Sequence, residues 1–175
     1  MEKTIIDLPS IQLIGITTRT NNQAESSWDT GKIWPCVRQY FHEQRALKIP
    51  HRKKPGTTLC AYTAYDQAYI NDDSCDYQGD YTYFIGEEVT SLESCPEGFD
   101  SLLIPPQTYV KFTNGPAPMP DVVRKPWLKI WAMTPQELGG IRRFATDFEV
   151  YDERAADHEH VVLDILIGIK DSLKV

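Results

Sequence analysis

The chain places its strand-forming and helix-forming stretches in the same order twice. Residues 11–20 are rich in β-branched side chains and close on Asn21-Asn22, which reads as a strand ending in a turn. Residues 22–31 are polar and read as loop. From 32 to 44, Ile33, Val37, Tyr40 and Phe41 recur at helical spacing, with Pro35 tolerable in the first turn. Strands follow over 57–65 and 81–86, joined by an Asn/Asp/Gly-rich connection over 71–80. The stretch 93–106, with its prolines, reads as a link. The order then repeats: a strand over 109–113, a helix from Asp121 to about Met133, and strands over 147–153 and 161–170. In this helix Asp121 is a candidate cap, and Pro126 delays the start or bends it. Two strand–helix–strand–strand units imply an α+β domain of duplicated βαββ units, with half-repeats of about 8–92 and 105–171. Antiparallel sheets carry helices on one face, and a ligand cleft lies between the halves, on the face the helices leave uncovered.

Composition narrows the function. A chain of 175 residues buries enough surface to hold a core without disulfides or metal. Its formal charge of −7 argues against direct nucleic-acid binding, which needs lysine and arginine against phosphate. The basic run His51-Arg52-Lys53-Lys54, between two prolines, reads as a solvated loop or an anion contact. No stretch approaches the roughly 18 apolar residues of a membrane span, and the N-terminus does not read as a signal peptide. A cytoplasmic protein is the expectation. Cys36, Cys60, Cys75 and Cys95 lack metal-site spacing and read as reduced thiols, a Cys75–Cys95 bridge requiring an oxidising compartment. The sequence points to no metal and no cofactor. Asp157-His158-Glu159-His160 reads as a hairpin loop rather than a chelating set.

Strand alternation selects the candidate site. Phe148 and Val150 share one face of their strand and Glu149 and Tyr151 the other. The apolar pair is expected beneath the helices, which points Glu149 and Tyr151 at the cleft. Tyr81, Tyr83 and Ile85 share a face, with Phe84 opposite; Tyr62 and Ala64 share one, with Thr63 and Tyr65 opposite. A tyrosine-rich wall with one carboxylate suits a flat cationic ligand, because aromatic faces attract cations and a carboxylate adds complementary charge. A solvated glutamate and tyrosines chosen for sheet packing are the plainer reading of the same pattern. Trp127 and Trp131 form a helical stripe that fits either core or ligand contact. Asp164 reads as a polar outward position, with a second pocket acid as the alternative.

Ile14-Gly15-Ile16 with Arg19-Thr20-Asn21-Asn22, the helix start Lys32-Ile33-Trp34, and Tyr81-Thr82-Tyr83-Phe84-Ile85-Gly86 resemble the GyrI-like small-molecule-binding family. Trp127-Leu128-Lys129-Ile130-Trp131 and Asp147-Phe148-Glu149-Val150-Tyr151-Asp152-Glu153-Arg154 extend the resemblance over nearly the whole chain, with Gly168 where a proline is common. The resemblance implies the effector-binding fold of AraC-type and multidrug-responsive regulators, here standing alone without a helix-turn-helix. It implies a glutamate among aromatics that contacts lipophilic cations, matched by Glu149 in Phe148-Glu149-x-Tyr151. The candidate ligand-binding set is then Glu149, Tyr151, Tyr83, Tyr81, Tyr62, Trp127, Trp131 and Trp34. The expected partner is a small organic ligand. A role in transcription would need a regulatory protein partner, and an open sheet edge would suit a homodimer. Two alternatives stand beside a binding protein. One is a hydrolase of reactive electrophiles with Glu149 as base and Tyr151 as donor. The other is a protein-interaction or inhibitor module.

Overall fold

Two linkers of two residues each dictate the shape of the sheet. The structure is a computed structural model and describes residues 1–66 and 79–170. Most of the connection expected over 71–80, and Cys75 with its considered bridge, lie outside the described residues. The strands are β1 (Glu2–Leu8), β2 (Ile11–Asn21), β3 (Thr58–Thr63), β4 (Asp80–Glu88), β5 (Asp100–Ile104), β6 (Gln107–Ala117), β7 (Ile141–Arg142), β8 (Thr146–Tyr151) and β9 (Val161–Lys170). They form one antiparallel sheet in the order β1-β6-β9-β8-β3-β4-β2-β5, with β7 pairing β9. Only Pro9-Ser10 joins β1 to β2, and only Pro105-Pro106 joins β5 to β6. Each linker connects strands six steps apart, about 29 Å across a flat sheet. Three Cα–Cα steps reach at most about 11 Å. The sheet must therefore curl until its two ends approach.

Inside the curl, Ile11 and Leu13 of β2, Leu59 and Ala61 of β3, Phe84, Ile104, Tyr109, Phe148 and Leu166 pack as one core. Phe148 and Val150 therefore face this helix-free interior. Alternation separated them correctly from Glu149 and Tyr151, but the expected faces are exchanged: Glu149 and Tyr151 lie on the helix side. The reason is the curl, which gives the sheet an apolar inner face with no need of helices.

On the outer face, α2 (Ile33–His42) buries Cys36 and Tyr40 against Ile14, Ile16, Cys60, Tyr83 and Ile85. Helix α3 (Asp121–Trp131) buries Val122, Trp127 and Ile130 against Val110, Phe112, Leu163, Ile165 and Ile167. Pro120, not Asp121, occupies the cap position of α3; Asp121 pairs with Lys125 instead at 2.7 Å. Pro126 sits inside the helix. Short helices α1 (Asn22–Glu25) and α4 (Pro135–Leu138) flank them. The polar stretch 22–31 thus begins with α1, and the link over 93–106 contains β5. The terminal strand β1, which patterning did not single out, pairs with β6.

The strand registers give the two halves a pseudo-twofold axis. Cys60 pairs with Glu149 across β3 and β8. From Cys60 the row continues to Ile85 and Ile16; from Glu149 it continues to Ile165 and Phe112. The axis passes between Cys60 and Glu149, and it makes Tyr62 and Tyr151 counterparts. The glycines Gly15 and Gly86 pair directly on the inner face. A Cβ at Gly86 would lie 2.2 Å from the Ile14 carbonyl oxygen, and one at Gly15 would lie 2.1 Å from that of Ile85. Gly86→Ala is expected to lower stability by about 2 kcal/mol or more, because the obstacle is backbone and cannot rotate away. A urea denaturation curve checks this.

Candidate functional site

The row Ile16–Ile85–Cys60–Glu149–Ile165–Phe112 is apolar except for one carboxylate at its centre. Glu149 is 2% exposed. Its Oε1 accepts from Tyr62 Oη at 2.9 Å and from Trp127 Nε1 at 2.6 Å. Its Oε2 accepts from Tyr151 Oη at 2.7 Å. The two pseudo-twofold tyrosines thus converge on the single acid, and each packs against both helix-side cores. All three donors are neutral. Burial raises the Glu149 carboxyl above its ordinary pKa, and the hydrogen bonds from Tyr151, Trp127 and Tyr62 oppose that rise. Burial and the nearby Glu149 charge push Tyr62 and Tyr151 well up, so both remain hydroxyl donors.

Above this carboxylate lies a cavity of about 330 Å³ between α1 and the start of α2 on one side and α3 on the other. Tyr62, Tyr81, Trp127 and Trp131, all in the expected set, line it, together with Tyr65, Ile33, Val123 and Leu128. Tyr62 stands edge-on to Trp127 at 5.1 Å and to Tyr81 at 5.7 Å. Glu149 and Tyr151 lie behind this aromatic lining rather than in it. Tyr83 is 2% exposed and buried beneath α2, edge-on to Tyr62 at 5.5 Å. Trp34 is 52% exposed and meets Trp28 edge-on at 6.5 Å. It is off the lining because α2 turns its Ile33–Cys36–Val37–Tyr40 stripe inward, and Trp34 lies outside that stripe. The cavity is therefore on the helix side, not on the face expected to be uncovered.

Four participants escaped the sequence reading. Asp147, fully buried, shares the Glu149 face one pleat away. It accepts from Arg142 Nη2 at 2.7 Å, Tyr65 Oη at 2.8 Å and the Gly168 N–H at 2.8 Å. A proline at 168 would remove that last donor. Arg142 lies over the rings of Phe144 at 4.5 Å and Trp127 at 5.7 Å. Its place depends on β7 hooking onto the end of β9, for which no local signal exists. Tyr65 joins the Tyr62 side, contrary to simple alternation, because Ala64 adopts φ 48° and reverses the pleat. Glu25 accepts from Thr20 Oγ1 at 2.5 Å and from the Lys32 N–H at 2.8 Å, closing the start of α2. Period-two spacing on β8 was sufficient to find Asp147.

Other candidates fall elsewhere. Asp164 is 8% exposed on the helix-free face, bonded to Arg154 at 2.8 Å and Thr113 at 2.6 Å. It is neither outward nor in the cavity, since Arg154 folds back to pair with it. Arg52 and Lys53 of the basic run reach Glu87 and Glu88 at 3.5 and 2.8 Å. His160 lies 3.0 Å from Asp157, and no group of three metal-ligating side chains converges among the described residues. Cys36, Cys60 and Cys95 are free thiols. Among the described residues no helix is long and apolar enough to cross a membrane.

A curled antiparallel sheet with helices over a buried acid and an aromatic-walled cavity defines an effector-binding fold of the GyrI-like kind. Residues 4–169 match the family of Cass2, the integron-associated effector binding protein, and the chain belongs to that family. The protein YobU of Bacillus subtilis (strain 168), provisionally named a transcriptional regulator, is 24% identical over 156 residues, 89% of this chain and 90% of YobU. The integron cassette protein VCH_CASS2 from the mobile metagenome of Vibrio cholerae shares the fold at a TM-score of 0.70 and 21% identity, covering 96% of this chain and 95% of that one. SAV2435, solved bound to tetraphenylphosphonium, shares it at a TM-score of 0.73 and 17% identity, covering 97% and 94%.

The two buried acids should respond oppositely to amide substitution. Glu149→Gln removes a buried charge that has no cationic partner among the described residues, and the amide oxygen can still accept from Trp127. It should raise stability by about 1 kcal/mol, or about 2–4 °C in Tm. Asp147→Asn strands the Arg142 guanidinium and should cost about 3 kcal/mol. The pH dependence carries the same signature. The folded state holds the Glu149 proton more tightly than the unfolded chain does. This contribution to stability is complete below the ordinary carboxyl pKa and is lost as pH rises through the raised one. Thermal melts across that window should show the loss in the native protein and not in Glu149→Gln.

Proposed function

We propose that the protein binds lipophilic aromatic cations, with Glu149 as the buried counter-charge and the walls formed by Tyr62, Tyr81, Trp127 and Trp131. The observation that carries this reading is the isolation of Glu149: a carboxylate at the centre of an apolar row, answered among the described residues only by neutral donors. Such an arrangement costs stability unless a cation completes it. The aromatic faces around the approach add cation–π attraction, about 1–2 kcal/mol per ring once desolvated. Trp127 Nε1 occupies one lone pair of Glu149. A cation entering the cavity takes over from that indole, which couples uptake to the position of α3. The tetraphenylphosphonium held by SAV2435, a protein of the same fold, supports the choice of ligand class.

In this reading the protein senses or sequesters its compound, and any effect on transcription runs through a protein partner that responds to the liganded state. YobU, as a provisionally named regulator, is the support for that extension. Hydrolysis is favoured less. Glu149 is buried behind the aromatic lining, whereas a general base needs a lone pair open to the water it activates.

Calorimetric titration with tetraphenylphosphonium tests the proposal. The native protein should bind it, and Glu149→Gln should weaken binding at least about tenfold while the melt shows an intact fold. An unchanged affinity in Glu149→Gln would remove the carboxylate from the binding site.

A further inference from the structure

The charged groups lining the cavity are Glu25, Arg124 and Arg142, with Glu149 beneath the aromatic floor. Two of the three lining charges are already answered. Glu25 is engaged by Thr20 and by the backbone at the start of α2. Arg142 is paired with buried Asp147 at 2.7 Å. Lys125, beside Arg124 in sequence, pairs with Asp121. Arg124 is exposed at the cavity wall, and among the described residues it has no carboxylate partner. It lies on the same stripe of α3 as Trp127, Leu128 and Trp131. The cavity thus runs between two opposite charges that the fold leaves uncompensated: Glu149 at the floor and Arg124 at the rim.

From this polarity we infer that the effector is zwitterionic, an aromatic cation that also carries an acidic group, and that Arg124 is the residue selecting it over a simple cation. This rests on the reading of Glu149 as the cation's partner. Arg124 and Trp127 are three residues apart on one helical face, so the acidic group stands about 5–11 Å from the cationic centre. A guanidinium is suited to a carboxylate or similar planar anion, which it engages with paired N–H donors. A cation with no acidic group meets the same Arg124 as like-charge repulsion at the entrance.

Two fluorescent probes that differ by one charge separate these cases: 10-(4-carboxybutyl)acridinium, a zwitterion, and its methyl ester, a monocation. Both are titrated into the full chain. The native protein should bind the zwitterion about fivefold more tightly or better, the scale of an exposed charge-assisted contact. Arg124→Gln should abolish the preference and Arg124→Glu should reverse it, with Lys125→Gln as the unaffected neighbour. Because Arg124 is exposed, 0.5 M salt should shrink the preference, an ionic strength at which the screening length is only about 4 Å. Equal binding of the two probes by the native protein, tighter binding of the ester, or a preference that survives Arg124→Gln overturns the inference. Ester binding that Glu149→Gln leaves unchanged, or no binding of either probe, instead removes the cation reading beneath it, and this inference falls with it.

Discussion

A carboxylate buried without a cation is the constraint around which the rest of this structure is organised. Glu149 sits at the pseudo-twofold axis, where the two halves meet through β3 and β8. Each half sends a tyrosine to it from equivalent positions, and the second half adds the indole of Trp127. Any of these donors withdrawn would leave an acceptor in an apolar surrounding. The acid therefore ties together the central strands, helix α3 and the cavity floor. Its counterpart across the axis is Cys60, a buried thiol. The duplicated architecture is symmetric, but the charge is placed on one side only.

The contrast with Asp147 clarifies what that placement means. Both acids lie on the same face of β8 and both are buried. Asp147 has an arginine, a tyrosine and a backbone N–H, a set that neutralises it and fixes β7 to the sheet. Glu149 has only neutral donors. A structural role accounts for the first set in full, whereas the second leaves a charge that, in the proposed function, a bound cation answers. The same strand thus carries one acid for stability and one, by proposal, for binding.

The curl of the sheet explains why the cavity opens where it does. Because the Pro9-Ser10 and Pro105-Pro106 links draw the sheet ends together, the concave face closes on its own apolar core. The aromatic-walled cavity therefore opens between the helices on the convex side. Alternation on β8 distinguished Phe148 and Val150 from Glu149 and Tyr151, yet it could not say which pair the helices cover. Tyr81, Tyr62, Trp127 and Trp131 were legible as aromatic candidates from strand parity and helical spacing. Tyr83, which shares the face of Tyr81, and Trp34, taken from the family resemblance, lie off the lining, since α2 covers the first and turns the second outward.

Local physical chemistry in the chain determined the duplicated strand–helix–strand–strand order, the two faces of β8 and the presence of a lone acid among aromatics. These follow from periodicity, which needs only the neighbouring residues. The tertiary structure decided the rest. It brought Arg142 to Asp147 through β7, turned Tyr65 to the helix side at Ala64, and set Trp127 on Glu149, 22 positions further along the chain. Each of those depends on contacts between segments distant in sequence. Which charges are answered within the fold is a property of that packing alone.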